Sequence, residues 1–320
     1  MWQTFVRTAG EFVAELGSVL RRGPLREGNR EAPGEASRQK RFHPLQRILL
    51  TDGVSRTLFN EYARHRDGVR GEEETGWVLL GLRDAEEAVA LATLPAGTER
   101  EAGVAHVQFN SMAQAVGGRI VRQMDRRLTI LGVVHTHPGS LRHPSDADFR
   151  GDSQWVAQLR GREGVFGIGT ADGYPGDSDL LGRQPRPHMQ VLGKLCLSWY
   201  ALGKGDANYR PLAVELTLGP DLARPLHSVW PMIEAHAERL ERLACQQAGL
   251  TFDLATGKDG DALAVTIPLA EPGDAIRVLL KGKEIYYFLV RGGDPIAADP
   301  HESRVDQGVY LLLAEIASQS

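Results

Sequence analysis

The spacing of apolar positions changes several times along the 320 residues, and each change marks an element. In residues 2–20, Trp2, Phe5, Val6, Ala9, Phe12, Val13, Leu16, Val19 and Leu20 fall on one helical face. This spacing predicts an amphipathic helix over residues 1–22, of a kind that docks on its own protein or on a partner. Residues 23–44 are rich in Gly, Pro, Glu and Arg and read as a flexible linker. From residue 45 onward, apolar runs of strand length alternate with helical stretches. Strands are expected near 45–51, 76–82, 89–94, 104–109, 129–134, 164–170, 191–201 and 212–218. Helices are expected at 54–66, where Val54, Leu58 and Tyr62 share a face, at 111–127, weakened by Gly117 and Gly118, and at 145–159. Residues 171–188 concentrate Gly, Pro and Asp and read as a loop insertion. The mixture points to an α/β domain over residues 45–218.

Beyond Gly219 the pattern becomes simpler. A long helix is expected at 222–248, its start limited by Pro225 and Pro231. Strands follow near 263–269, 275–280 and 285–290, with Gly282 at the turn between the last two, and a helix at 305–317 closes the sequence. Residues 219–320 thus read as a C-terminal α+β module. It carries no motif, and nothing in the chain repeats at a fixed period.

Composition narrows the classes. With 42% hydrophobic and 24% charged residues the chain is globular. A net charge of −4 gives no basic footprint, so no nucleic-acid partner is expected. No apolar run reaches membrane-spanning length, so no membrane association is expected. Arg7, Glu11 and Glu15 interrupt any signal-peptide core, and the expected compartment is a reducing cytoplasm. Cys196 and Cys245 stand far apart in apolar contexts, which predicts buried free thiols rather than a disulfide. The abundance of Arg and Ala hints at a bacterial source.

The chemistry gathers in residues 129–148. Thr129 to Val134 read as a buried strand, and His135 and His137 follow it two residues apart, so both imidazoles can point to one face. Pro138 and Gly139 end the strand. Ser145 then stands as the N-cap of a helix, with Asp148 three positions on. A serine and an acid at that spacing also make a helix capping box, which needs no metal. Two imidazoles and a carboxylate, however, are the ligand set of an open zinc site.

His135-x-His137-Pro138, six residues, then Ser145-x-x-Asp148 resembles the motif of the JAMM (MPN-plus) metallopeptidases. The family also uses an upstream glutamate in a Glu-x-Gly-x-x-Leu-x-Gly-like strand, and Glu74-Thr-Gly76-Trp-Val-Leu-Leu80-Gly81 matches it. The resemblance extends over about residues 45–218 and leaves the first forty-odd residues and the last hundred uncovered. It implies a curved mixed sheet flanked by helices, of the cytidine-deaminase-like kind. It implies one zinc per chain on His135, His137 and Asp148, Glu74 as general base, and Ser145 as hydrogen-bond donor to the oxyanion. His143 and Asp146 match no ligand of the family. His106, His188, His227 and His236 lack partners at metal spacing and read as structural or surface residues.

The activity so implied is that of a zinc-dependent isopeptidase or peptidase. It would cleave after the tail of a ubiquitin or ubiquitin-like protein, in a bacterial pathway with companion activating and conjugating enzymes. Processing of a sulfur-carrier protein, a cell-wall or phage-tail peptidase, and a catalytically silent scaffold are the alternatives. Insertions flank the site in relatives, and residues 83–103 and 171–188 are the matching places for walls that hold an extended tail.

Overall fold

The computed structural model describes residues 42–97, 101–102, 107–173, 182–257 and 260–319. The helix expected over 1–22 and most of the linker expected over 23–44 lie outside these residues, as do parts of 83–103 and of 171–188. The described chain divides into two compact units. One contains residues 42–111 and 125–224, and the other contains residues 112–124 and 225–319.

The first unit is built on a nine-stranded mixed sheet. Its strands are β1 (Arg47–Thr51), β2 (Gly76–Arg83), β3 (Glu87–Pro95), β6 (Thr129–Thr136), β7 (Glu163–Thr170), β8 (Met189–Leu192), β9 (Leu195–Gly203), β10 (Arg210–Pro211) and β11 (Ala213–Thr217). A separate short pair is formed by β4 (Glu101–Ala102) and β5 (Val107–Gln108). The order across the large sheet is β10-β9-β7-β6-β2-β3-β1-β11, with β8 pairing β9. Only β1–β3, β1–β11 and β6–β7 are parallel; the other pairs are antiparallel. This is the curved mixed α/β sheet expected from the sequence.

Helix α1 (Asp52–Arg66) covers one face of that sheet. Its N-terminus is capped by Thr51, whose hydroxyl accepts from the Val54 N–H at 3.2 Å. Asp52 stands in its first turn and Arg64, His65 and Arg66 in its last, the arrangement that complements the helix dipole. Val54, Leu58 and Tyr62, four apart, bury their side chains against Ile48, Leu50 and Trp199 in one continuous core. The central strands β2, β6 and β7 are buried along almost their whole length, so they read as apolar runs without alternation.

Two glycines explain the strand that follows Glu74. A Cβ at Gly76 would lie 2.7 Å from the Val134 carbonyl oxygen and 2.9 Å from the Phe109 ring. A Cβ at Gly81 would lie 1.9 Å from the Val89 carbonyl oxygen, at the point where the β2–β3 register shifts. The Gly-x-x-Leu-x-Gly spacing is therefore a steric requirement of β2 lying tightly between β3 and β6.

The second unit contains α2 (Ser111–Met124), α4 (Trp230–Gln246), α5 (Val305–Gln319) and an antiparallel meander. The meander runs β12 (Thr251–Gly257), β13 (Gly260–Pro268), β14 (Ala275–Lys281), β15 (Glu284–Arg291) and β16 (Asp294–Ala298). Gln123 ties α2 to β12 by a reciprocal pair of bonds with the Phe252 backbone at 2.7 and 2.9 Å. Arg119 donates to Glu241 at 2.7 Å, and Arg242 to Asp306 at 2.8 Å.

Several elements depart from the pattern reading. The strand expected at 191–201 is a hairpin, β8 and β9, turning at Gly193 and Lys194. Apolar residues on both sides of a two-residue turn hid the break. Strands β12 and β16 were not expected: β12 alternates only Phe252 and Leu254, and β16 is an exposed edge strand carrying Pro295. The expected helix at 145–159 is α3 (Asp146–Trp155) followed by a 3₁₀ turn, Val156–Gln158. Neither cysteine is in a disulfide. Cys196 is buried as expected, but Cys245 is exposed on α4, with its thiol 3.2 Å from Glu241. Among the described residues, no helix is long and apolar enough to cross a membrane.

Candidate metal centre

Strand β6 delivers His135 and His137 to one place. Its end is held on both sides: the Thr136 N–H donates to the Thr75 carbonyl at 2.9 Å, and the His137 N–H donates to the Gly169 carbonyl at 2.7 Å. The chain then turns through Pro138 to Pro144 and enters α3, which brings Asp148 back to the strand end. The three side chains converge. His135 Nε2 and His137 Nε2 are 3.1 Å apart. Asp148 Oδ1 lies 3.3 Å from His135 Nε2, and Oδ2 lies 3.4 Å from His137 Nε2. Among the described residues, this is the one group of three His, Cys, Asp or Glu side chains whose ligand atoms all lie within 4.8 Å.

The capping box weighed from the sequence is also present. Asp148 Oδ2 accepts from the Ser145 N–H at 2.6 Å, and Ser145 Oγ accepts from the Asp148 N–H at 3.2 Å. The Ser145 hydroxyl further donates to Asp148 Oδ2 at 2.7 Å. One carboxylate thus closes the helix start and faces both imidazoles; the cap and the ligand readings describe the same atoms.

The donor set fits a zinc ion. His137 Nδ1 is 2.8 Å from the Leu141 carbonyl, an acceptor, so Nδ1 carries the proton and Nε2 keeps its lone pair. Both histidines are buried, while the Asp148 side chain keeps 21% exposure, so the cluster opens toward solvent on the acid's side.

Glu74 is placed by the neighbouring backbone. The Thr75 N–H donates to Thr136 Oγ1 at 2.9 Å, and Gly76 pairs with His135 across the ladder. Glu74 is itself buried, at 6% exposure. Burial pushes its carboxyl up to about 7, against the pull of His135 and His137, with Asp148 adding to the rise. A carboxyl of that pKa can take and return a proton near neutrality. His135 moves up to about 9: burial opposes the shift, but the charge and hydrogen bond of Asp148 outweigh it. Asp148 is held well below the usual carboxylate range, since His135 overcomes its burial.

His143 and Asp146 are exposed and stand apart from the cluster, as expected. The His188 ring lies tilted against Tyr200, with 5.8 Å between ring centroids. His106 lies outside the described residues. One neighbour escaped the pattern reading. Asp152, one helical turn beyond Asp148, is buried and accepts from Tyr209 OH at 2.6 Å. Burial pushes its carboxyl up to about 7. The i, i+4 spacing puts it on the face of Asp148 and was the signal available.

Residues 55–178 match the family model described as prokaryotic homologs of the JAB domain. This segment is a domain of the JAB/MPN family, and the mixed sheet and its helices agree with that fold. No curated protein matches the chain. Among solved structures, the chain is similar to the solution structure of protein DSY2949 from Desulfitobacterium hafniense. The identity is 16% and the TM-score 0.35, over 53% of this chain and 94% of that one. A likeness of that degree carries no structural argument. Membership of the family is compatible with a peptidase or isopeptidase role.

Proposed function

We propose that the protein is a zinc-dependent isopeptidase or peptidase, acting in the cytoplasm, that cleaves after the C-terminal tail of a ubiquitin-like protein. It would hold one zinc per chain and work alongside activating and conjugating enzymes. The observation that carries this reading is the convergence of His135 Nε2, His137 Nε2 and the Asp148 carboxylate at a buried strand end, within the electrostatic reach of Glu74.

His135, His137 and Asp148 would hold the metal. Bound there, zinc supplies a Lewis acid and lowers the pKa of water at the site. Glu74 accepts a proton from the attacking water and passes it to the leaving amine, which its shifted pKa suits. Ser145 donates a hydrogen bond from its hydroxyl to the developing oxyanion. In the structure that hydroxyl donates to Asp148 Oδ2, so it must rotate to reach the oxyanion. A scissile bond reaching a strand end calls for an extended tail, and a tail ending in small residues such as Gly-Gly fits a narrow approach.

The test offers the purified chain a panel of ubiquitin-like fusions while its zinc is measured. The expected result is about one zinc per chain and cleavage directly after a small C-terminal residue, lost when Gly-Gly is replaced by bulky residues. Full zinc content in the His135→Ala/His137→Ala double variant would overturn the ligand assignment. Zinc without cleavage of any fusion would overturn the substrate class, and a wild type that takes up no zinc would favour a silent scaffold.

A further inference from the structure

The His137 imidazole is oriented as an Nε2 ligand by its Nδ1–H, which donates to the Leu141 carbonyl 2.8 Å away. That carbonyl sits in the loop between β6 and α3. The Leu141 side chain cannot hold it, because it is 41% exposed. The next residue does. Arg142 Nε donates to both carboxylate oxygens of Asp172 at 3.1 Å, and its terminal NH2 donates to the Asp172 backbone carbonyl at 3.0 Å. The Arg142 carbonyl accepts from Tyr200 OH at 2.8 Å. Asp172 is fixed in turn, since Thr170 Oγ1 donates to its Oδ1 at 2.6 Å. Thr170 ends β7 and Tyr200 lies in β9, so the loop is anchored to β7, which pairs with β6, and to β9 on the far side of β7.

We infer that the Arg142–Asp172 pair is a latch that positions the Leu141 carbonyl, and through it the His137 ring, and so sets the affinity of the site for its metal. The inference rests on the metal-centre reading above. Both side chains keep about a third of their exposure, 35% and 29%, so as an ion pair the latch adds little to the stability of the fold. A group that fixes the hydrogen-bond acceptor of a ligating histidine, by contrast, changes metal affinity about 10- to 100-fold. The two scales separate positioning from packing.

The experiment measures the zinc dissociation constant of the full chain by competition with a chromophoric chelator, beside thermal melts of the metal-free protein. Arg142→Ala and Asp172→Asn should each weaken zinc binding by about 10-fold or more, with only small melting shifts. The double variant should bind no more weakly than the poorer single one, because both remove the same bond. Arg142→Lys should fall between wild type and Arg142→Ala, since an ammonium cannot supply the planar fork. The cobalt-substituted Arg142→Ala protein should show an altered visible absorption band. Dissociation constants within about twofold of wild type in both single variants, or simple additivity in the double, would overturn the latch. Should Arg142→Ala fail to fold, Asp172→Asn and Arg142→Lys decide the matter alone. A wild type that binds no zinc brings down the metal-centre reading and the latch together; tight wild-type binding with unaffected variants brings down the latch only.

Discussion

Two buried polar clusters stand in the first unit, and they solve the burial problem differently. At one, Glu163 sits between two guanidiniums: Arg210 donates to Oε1 at 2.6 Å and Arg83 to Oε2 at 3.2 Å. Oε2 also accepts from the Leu45 N–H at 2.7 Å. Other Arg donors go to backbone carbonyls of His43, Leu45 and Ala85, while the buried Arg83 Nε has no partner among the described residues. Charge meets opposite charge and each carboxylate oxygen has donors, which is how a buried ion is held for structure. At the other cluster, three carboxyls and two imidazoles share one buried neighbourhood, and the balance fails. Glu74 and Asp152 are each pushed up to about 7, and His135 up to about 9. The difference is one of chemistry: at Glu163 opposite charges are paired, whereas around His135 several carboxyls gather on two imidazoles with shifted titration, the pattern of a candidate functional site.

The comparison predicts its largest effect at Glu74. Glu74→Gln keeps the shape of the side chain and removes the proposed base. Turnover of a cleavable fusion should fall about 10²- to 10⁴-fold, while zinc content stays at wild type. Near-normal turnover in this variant would show that proton transfer runs elsewhere. The clasp should answer in the opposite way. Glu163→Ala leaves the buried Arg83 guanidinium without its carboxylate, the Arg210 side chain being 40% exposed, which should cost about 3–5 kcal/mol of stability in denaturant unfolding. Its zinc affinity should stay unchanged wherever the protein is folded. A loss of zinc affinity with little loss of stability would erase the distinction between the clusters.

How much of this was legible depends on the kind of residue. His135, His137 and Asp148 were legible because a strand period of two puts both histidines on one face and because their spacing to Asp148 resembles the JAMM motif; the loop that returns Asp148 to the strand end shows only in the fold. Gly76 and Gly81 were legible as a motif, but their cause, the close approach of Val134 and Val89 backbone, appears only when three strands are side by side. The Glu163–Arg83–Arg210 clasp was not legible. Its members stand 80 and 47 positions apart in sequence, and single charged residues in apolar strands carry no spacing signal. The Leu141 carbonyl was hidden for a simpler reason: its contribution is backbone, which the residue name does not reveal. In the second unit the meander was only partly seen, because edge strands such as β16 bury little and so show little pattern.

A smaller effect separates the clusters by pH. The Glu74 carboxyl titrates at about 7 in the folded chain and near 4.5 when free. The folded state therefore binds this proton more tightly than the unfolded state does. The sign follows: stability is full below about 4.5 and is lost as pH rises through about 7. Metal-free wild type and Glu74→Gln should melt alike near pH 5, and the variant should be the more stable by up to about 3 kcal/mol above pH 8. Metal-free wild type matching the variant at both pH values would mean that Glu74 is solvated well enough to ionise without cost.

The smallest effect on stability falls on Ser145, which belongs to both kinds of arrangement at once. Its hydroxyl caps α3 by accepting from the Asp148 N–H, and it is also the proposed proton donor to the oxyanion. Two substitutions pull these roles apart. Ser145→Ala removes cap and donor together and should cost about 1 kcal/mol of stability. Glycine is tolerated at an N-cap, so Ser145→Gly should cost only a few tenths of a kcal/mol while removing the hydroxyl just as completely. The Ser145 N–H bond to Asp148 Oδ2 is backbone and survives in both variants, so the carboxylate stays aimed at the two imidazoles. If the hydroxyl acts only as a cap, activity should follow stability, and the glycine variant should be nearly as active as wild type. If it also serves the oxyanion, both variants should lose turnover equally, about 10²- to 10³-fold, despite their different stabilities. The ratio of the two turnover numbers, measured at a temperature where both are fully folded, decides which description of Ser145 stands.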